Sequence, residues 1–325
     1  MSIVHLIMMI LFSKRKLHTM EKMRFEQFAD MIVNNIKDYL PGSFADASVE
    51  LQKMTKINDV VLTGLTIRSI YSNISPSIYL DQYYQYYLDG SDMNDIFRDI
   101  ADERIAHEVR DDFDVSRITD FQRVKDSIVP RIIYAEWNKA LLELRPHTDV
   151  ADLAVTYHIV LHRDETGTSS IPITYQLLES WGVGVGTLHE VAVRNMTDML
   201  PSTLESLSSV LSSFIGAGPC GNPSDDPCDG LNDTLFVLSN TDRVNGSSAI
   251  LDKAMMDSIV ERFGEGFYLL PSSVHEWLIL ASGDGINPSI LTDMVQEVNA
   301  GEVAIEERLS SHVYRYTASE GLICA

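Results

Sequence analysis

The sequence predicts an α+β protein of two lobes, each with a small, mainly antiparallel sheet packed against helices. The chain has 325 residues, which exceeds the usual size of one domain. Apolar residues make up 45% of it, enough to build sizeable cores. Apolar residues at helical spacing alternate along the chain with pairs of β-rich runs separated by turn residues, which is the pattern of mixed α and β structure.

The N-terminal lobe is expected over residues 23–145 and begins with a helix. Apolar residues repeat at helical spacing from Phe25 to Tyr39, and Pro41 ends the run. A hairpin is expected next, because β-rich runs flank the turn formers Asn58-Asp59. The rest of this lobe is expected to be helical, at residues 78–88, 92–114, 121–128 and 137–142.

The C-terminal lobe is expected over residues 146–325. It should open with a hairpin, because the β-rich run Leu153–Leu161 leads into a polar turn and a second such run. Thr187 and Glu190 have the spacing of a capping box and predict a helix that reaches Met199. Residues rich in turn formers predict an exposed, flexible loop at 216–233. The later elements are expected at 235–238, 255–263, 267–270, 277–280, 288–300 and 312–316.

Residues 1–22 form a leader that we expect to be disordered or to result from a misassigned start. Its apolar run, Ile3–Phe12, precedes the basic residues, whereas a secretory signal has them in the opposite order. The run is also well short of the roughly 20 residues that span a bilayer. The alternative is a weak membrane anchor, and without it no membrane association is expected.

Three cysteines, Cys220, Cys228 and Cys324, have no repeated short spacing. This argues against a secreted disulfide scaffold and favours a reducing compartment. We therefore predict a cytoplasmic protein.

The net charge of −22 argues against binding to nucleic acid, because phosphates are bound by clustered lysine and arginine. The first 19 residues carry three basic and no acidic side chains, so the rest of the chain is more acidic still. Excess acid commonly serves solubility. A weaker alternative is that the protein is an acidic mimic of nucleic acid.

A set of short segments carries a family resemblance: Asn73–Leu80, Asp120–Val129, Leu270–Glu276 and Leu309–Tyr314. Together and in this order they resemble the bacterial domain-of-unknown-function 5688 family over residues 23–318. The C-terminal half is also distantly similar to uncharacterised UPF0354-type proteins. The resemblance implies a bacterial cytoplasmic protein, but it implies no activity, since neither family has established chemistry.

Ser273, His275 and Glu276 are the candidate catalytic residues if the protein is a hydrolase. A serine nucleophile needs a base within hydrogen-bond reach and an acid that orients the base. Successive residues of a strand point to opposite faces, however, so these neighbours are not expected to converge. The favoured interpretation is a turn in which the serine hydroxyls satisfy backbone groups.

No metal site and no cofactor are predicted from the sequence. His158 and His162 share a strand face about 13 Å apart, too far for one ion. The acidic run that begins at Asp225 lacks the closing glutamate of a calcium loop. Cys220 and Cys228 lack the second pair that a zinc site needs. The glycines from Gly182 to Gly186 match neither phosphate-binding pattern and predict a turn between helices.

Tyrosines at 79, 83, 84, 86 and 87 are the most unusual local composition. Tyrosine offers a large contact area with a polar tip, so Tyr79, Tyr83, Tyr86 and Tyr87 are predicted to bind a protein partner or to mediate self-association. The alternative is that most of these rings pack the helix onto its own hairpin. The leading hypothesis is a non-enzymatic binding or regulatory protein, with a hydrolase as the alternative.

Overall fold

The computed structural model describes residues 22–72, 75–108, 114, 116–164, 167–210, 235–264, 266–281 and 287–325. The chain forms two compact units, and their mixture of helices with small antiparallel sheets confirms the predicted α+β class. Unit 1 comprises residues 1–54 and 61–113, and unit 2 comprises 55–60 and 114–325. The leader through residue 21 and the predicted loop at 216–233 lie outside the described residues.

Unit 1 is a three-stranded sheet with helices, in the chain order α1 (Phe25–Asn35), β1 (Ser48–Thr55), β2 (Val61–Arg68), β3 (Ser77–Tyr79), α2 (Leu80–Asp89) and α3 (Met93–Ala106). The strand order is β1-β2-β3. Helix α2 ends at Gly90, which takes the left-handed conformation (φ 104°) that favours glycine. Helix α3 begins at Asp92, whose side chain accepts a hydrogen bond from the Asn94 N–H. Apolar faces of all three helices share one core with β2.

Unit 2 contains two antiparallel sheets around a larger core. Its strands are β4 (Ile128–Tyr134), β5 (His147–Val150), β6 (Leu153–Asp164), β7 (Gly167–Pro172), β8 (Ser202–Ser206), β9 (Leu235–Asn240), β10 (Tyr268–Ser273), β11 (Glu276–Leu280), β12 (Tyr314–Thr317) and β13 (Gly321–Cys324). In the first sheet β6 pairs with β4, β5 and β7. The second sheet has the order β13-β12-β10-β11-β9-β8.

The helices of unit 2 are α4 (Ser116–Thr119), α5 (Phe121–Val124), α6 (Lys139–Leu142), α7 (Tyr175–Trp181), α8 (Val185–Met199), α9 (Lys253–Phe263) and α10 (Pro288–Gly301). Side chains from α8 and α9 and from both sheets bury one another in a single core. Its largest fully buried members are Trp277, Tyr157, Tyr314 and Phe267. Among the described helices, none combines the length and apolar character required to cross a bilayer.

The division between the units differs from the predicted boundary at residues 145 and 146. Strand β4 pairs residue by residue with β6, from Ile128 opposite Ile159 to Tyr134 opposite Leu153, and this ties residues 114–145 to unit 2. The helix expected at 121–128 is a single turn, because β-branched residues from Ile128 onward favour a strand. Pro130 is tolerated there because β4 is an edge strand.

Two further local expectations differ from the structure. Helix α8 begins at Val185 with Gly184 as its N-cap, so the predicted capping box of Thr187 and Glu190 does not start it. The short strands β5 and β13 were not expected, because four residues carry too little alternation to identify a strand. Both strands matter for the site described next.

Candidate functional site

Asp152, His312 and Cys324 bring three different ligand atoms together in unit 2. One ligand atom of each side chain lies within 4.8 Å of the other two. The Oδ2 atom of Asp152 is 2.6 Å from Nδ1 of His312. Asp152 and His312 are partly buried, whereas Cys324 is exposed. The group is therefore reachable from solvent.

The three side chains are positioned by the ends of two hairpins. Asp152 lies in the tight turn between β5 and β6, where Ala151 adopts a left-handed conformation (φ 54°). His312 precedes β12, and Cys324 lies in β13 directly opposite Tyr314 of β12. Local hairpin pairing therefore places Asp152 and Cys324, whereas the approach of Asp152 to His312 joins segments 160 residues apart.

Buried aromatic residues orient Asp152 and His312. The Tyr314 hydroxyl donates to Oδ1 of Asp152 at 2.7 Å and lies 2.8 Å from the Ser310 hydroxyl. The Tyr314 ring is fully buried and meets the Trp277 ring edge to face at 5.4 Å. The His312 ring meets the Tyr134 ring in the same manner at 5.6 Å. Supporting contacts of this kind fix ligand orientation in metal sites.

The electrostatics of the group keep its acidic donors protonated. Burial, the negative charge of Asp152 and a hydrogen bond to that carboxylate raise the pKa of the Cys324 thiol to about 11. Burial is also the main cause that raises the pKa of Tyr314, and the Asp152 charge adds to it. A thiol held protonated is a poor nucleophile, so this arrangement does not resemble an activated cysteine enzyme. A bound cation reverses that effect, because it deprotonates a coordinating thiol.

The predicted catalytic residues lie near one another in the chain, but their side chains have separate partners. The Ser273 hydroxyl accepts a hydrogen bond from the backbone N–H of His275, as a turn residue does. The Nδ1 atom of His275 accepts from the backbone N–H of Asn245, and its Nε2 lies 3.7 Å from Glu307. Glu276 accepts from the Ser272 hydroxyl. The geometry therefore does not bring Ser273, His275 and Glu276 into one relay.

Tyr83 and Tyr87, two of the four predicted binding residues, pack within unit 1 together with Tyr84. Tyr83 is buried and its hydroxyl donates to Glu103; burial and that carboxylate raise its pKa. Tyr84 and Tyr87 pack against Phe28 of α1. The rings of Tyr84 and Tyr87 therefore join α2 to α1, and Tyr83 shares a core with residues of the hairpin strand β2.

Tyr79 and Tyr86 are the other two predicted binding residues, and their surroundings differ from those of Tyr83 and Tyr87. Tyr79 is partly buried beside Met54 of β1, with its hydroxyl 3.7 Å from the Met54 sulfur. Tyr86 is 49% exposed. Tyr86 is thus the predicted binding residue that is most accessible.

The sequence did not identify the three-residue group as a site. The sequence predicts only an element at 312–316 that includes His312, and it predicts no role for Asp152. The one available signal was the segment Gly321–Cys324, whose apolar residues after a glycine permit a closing strand. Cys220 and Cys228, considered and set aside as zinc ligands, lie outside the described residues.

The fold and the site define an α+β protein of two compact units, the second of which carries nitrogen, oxygen and sulfur ligands at its strand ends. The chain belongs to the family of unknown function DUF5688, which it matches over residues 25–318, and this confirms the resemblance. Asp152 and His312 lie inside the matched region, and Cys324 lies just beyond it. Comparisons with curated proteins and with solved structures found no match. The similarity to UPF0354-type proteins stays a prediction.

Proposed function

We propose that this protein binds a transition-metal ion, with a preference for zinc, through Asp152, His312 and Cys324. The observation that carries the proposal is the approach of three ligand atoms to within 4.8 Å of one another. Mixed nitrogen, sulfur and carboxylate ligands are typical of zinc, whereas calcium and magnesium take oxygen ligands. The protein then falls within the binding and regulatory class that the sequence favours.

The distances require only small adjustments for zinc. Bonds of about 2.0 to 2.3 Å at tetrahedral angles separate ligand atoms by roughly 3.3 to 3.8 Å. The 2.6 Å contact between Asp152 and His312 lengthens when the ion replaces the proton between them. Cys324 lies on the exposed edge strand β13, where its side chain has room to turn toward the ion. Tyr314 holds Oδ1 of Asp152 and leaves Oδ2 directed at the site.

Three protein ligands leave a fourth position for water or a substrate. This is the arrangement of catalytic zinc sites, whereas structural sites are closed by four protein ligands. A site with three protein ligands favours reversible metal binding. It would also give the hydrolase alternative a metal centre in place of the predicted serine site. A zinc-bound water replaces the serine nucleophile that the predicted Ser273 site would need.

Cobalt spectroscopy tests the metal proposal in the full chain. We expect Co²⁺ added to metal-stripped protein to give a thiolate-to-cobalt charge-transfer band in the near ultraviolet. The band should persist in the Cys220→Ser/Cys228→Ser variant, which retains only Cys324, and should disappear when Cys324→Ser is added. Zinc affinity, measured by competition with a chromophoric chelator, should fall by more than about 100-fold in Cys324→Ser and in His312→Gln.

The Cys220→Ser/Cys228→Ser variant is the matched control, since it removes thiols without touching the proposed ligands. Absence of the charge-transfer band in that variant would contradict the proposal. So would a zinc affinity that is the same in Cys324→Ser and in the unmodified chain.

We also propose Tyr86 as the contact residue for a protein partner or a second copy of the chain. Its exposure supports this, whereas the neighbouring tyrosines are engaged in packing. Tyr86→Ala should weaken self-association in sedimentation velocity, or binding of a purified partner, and should change the free energy of unfolding by less than about 0.5 kcal/mol. Tyr84→Ala, the packing control, should lower that free energy by about 2 kcal/mol. Unchanged association of Tyr86→Ala would remove this surface from consideration.

The bacterial cytoplasm is the location we propose. Cys324 has to remain a reduced thiol to act as a ligand, and reducing compartments preserve thiols. Fractionation of cells that produce the full chain should recover it with cytoplasmic markers; recovery in the envelope would contradict the assignment.

A further inference from the structure

We propose a second binding site in unit 2, for a small anion with a carboxylate or phosphate group, formed by Arg131, His158 and Ser170 with Arg145 beside them. It is independent of the metal site, because it uses other residues. Three observations lead to it: the strand register, the unbalanced positive charge and a buried ring nitrogen without a partner.

The strand register places the polar residues on one face of the first sheet. Arg131 of β4 lies opposite Thr156 of β6, and Ser170 of β7 lies opposite Val160 of β6. His158 lies between Thr156 and Val160 and shares their face, because alternate residues of a strand point the same way. Three neighbouring strands thus present their polar side chains along one diagonal.

A hydrogen bond links the two outer strands of this diagonal. The Arg131 guanidinium donates to the Ser170 hydroxyl at 2.7 Å. These two residues belong to strands on either side of β6, so the Arg131 side chain crosses β6 at the level of His158. The opposite face of β6 carries Val155 and Tyr157, which belong to the main core.

The positive charges of this group have no acidic counterpart among the residues that the structure describes. Within the described residues, no carboxylate oxygen lies within 4.0 Å of Arg131 or Arg145. Both arginines are partly buried, and the chain carries a net charge of −22, so acidic partners are abundant elsewhere. Partly buried guanidinium groups normally pair with a carboxylate or a phosphate. An external anion completes the pairing that the chain leaves open.

His158 is the buried group that points to a ligand. It is only 7% exposed, and its Nδ1 atom has no hydrogen-bond partner in the described part of the chain. Burial and the nearby charges of Arg131 and Arg145 hold its pKa well below its usual value, so the ring is neutral. Burial also lowers the pKa of Arg131 to about 10, and the Arg145 charge adds to that effect. Burial is the larger cause of both pKa shifts, and the neighbouring positive charge adds a part that an anion would reduce.

A narrow cleft lined by Arg131, Val160 and Thr168 lies beside the site, and Arg131 is the one of the four proposed site residues that lines it. The cleft has a volume of about 20 Å³, room for one group the size of water, so a carboxylate or phosphate group enters only when neighbouring side chains move. Asp242 also lines it, but Arg163 neutralises that carboxylate through a two-bonded ion pair. The electrostatic potential in the cleft therefore remains positive near Arg131.

Calorimetric titration of the full chain with inorganic phosphate and with acetate, at matched ionic strength in chloride, tests this proposal. We expect one of the two ions to bind in preference to chloride. Affinity should fall by about tenfold or more in Arg131→Gln and, separately, in Arg145→Gln, since each removes charged donors. A phosphate response assigns a phosphoryl ligand, and an acetate response assigns a carboxylate ligand.

Two control variants distinguish the site from general attraction and from the metal site. Arg123→Gln removes a surface arginine whose ion pair with Asp120 is mostly exposed, and it should bind as the unmodified chain does. Cys324→Ser should also bind normally, so failure of the metal proposal leaves this test intact. Equal binding of phosphate, acetate and chloride would overturn the proposal, as would an equal loss in Arg123→Gln.

Discussion

Replacing Trp277 by alanine should lower the free energy of unfolding of unit 2 by about 3 to 5 kcal/mol. Trp277 is fully buried (0% exposed) in the centre of the second sheet, where β11 lies between β10 and β9. Its ring packs edge to face against Tyr314, and its indole N–H donates to the Ser247 carbonyl at 2.8 Å. Alanine leaves a cavity and removes one hydrogen bond from a buried carbonyl, and each change destabilises the fold.

Urea unfolding followed by far-ultraviolet circular dichroism measures this effect, since the signal does not depend on the removed tryptophan. Trp277→Phe is the matched control, because it keeps an aromatic ring and loses the hydrogen bond; we expect a loss of about 1 to 2 kcal/mol. The alanine variant should also bind zinc more weakly, because Tyr314 loses its packing partner and positions Asp152 less firmly. A loss below about 1 kcal/mol in Trp277→Ala would be inconsistent with the described core.

Helices with strong apolar periodicity could be predicted from the sequence. The structure contains α1, α9 and α10 close to the residues that their patterns indicate, with Gly264 directly after α9 and Pro288 at the start of α10. In these helices the apolar spacing and the terminal residues favour the same structure that packing in the folded protein favours. In strand β4 the local sequence and the folded structure disagree. Its single proline indicates the end of a helix, whereas pairing with β6 makes the segment a strand.

The candidate site could not be predicted, because long-range pairing creates it. Asp152 and His312 are 160 residues apart in sequence and meet at 2.6 Å. Cys324 joins them only through the pairing of β13 with β12. Motif spacing detects ligands that lie on one helix or one loop, and none of these three has a ligand neighbour there. The same limit applies to Arg131 and Ser170, which meet across a third strand.

The tyrosine-rich helix shows how composition can predict burial without predicting the partner element. The sequence predicts Tyr87 as a binding residue with packing as the alternative, and the structure packs both Tyr84 and Tyr87 against Phe28. Which element supplies the opposing surface depends on the helix arrangement, since α1 and the hairpin were equally available neighbours in the chain.

Asn58 holds together three segments of unit 2, and its side chain cannot be replaced by an apolar one without loss. Its amide donates to the carbonyls of Ile305 and Arg308 at 2.6 and 2.8 Å. Its backbone N–H donates to the side chain of Asn138, which donates in return at 2.9 Å. Asn58 is also left-handed (φ 61°), a conformation that asparagine tolerates better than most residues. The segment it holds leads directly into the residues that precede His312.

Asn58→Ala should therefore lower the free energy of unfolding of unit 2 by about 3 to 4 kcal/mol. Lost hydrogen bonds leave carbonyls and the fully buried Asn138 amide with fewer partners, at about 1 kcal/mol or more each. Left-handed backbone costs alanine roughly a further 1 kcal/mol. Asn58→Gly removes the same side-chain bonds without that backbone cost, so it should be more stable than the alanine variant by about 1 kcal/mol. Urea unfolding followed by tryptophan fluorescence measures both, and equal stability of the two variants would show that backbone strain does not contribute. Zinc affinity should fall in both variants, because the metal site depends on the segment that Asn58 fixes in place.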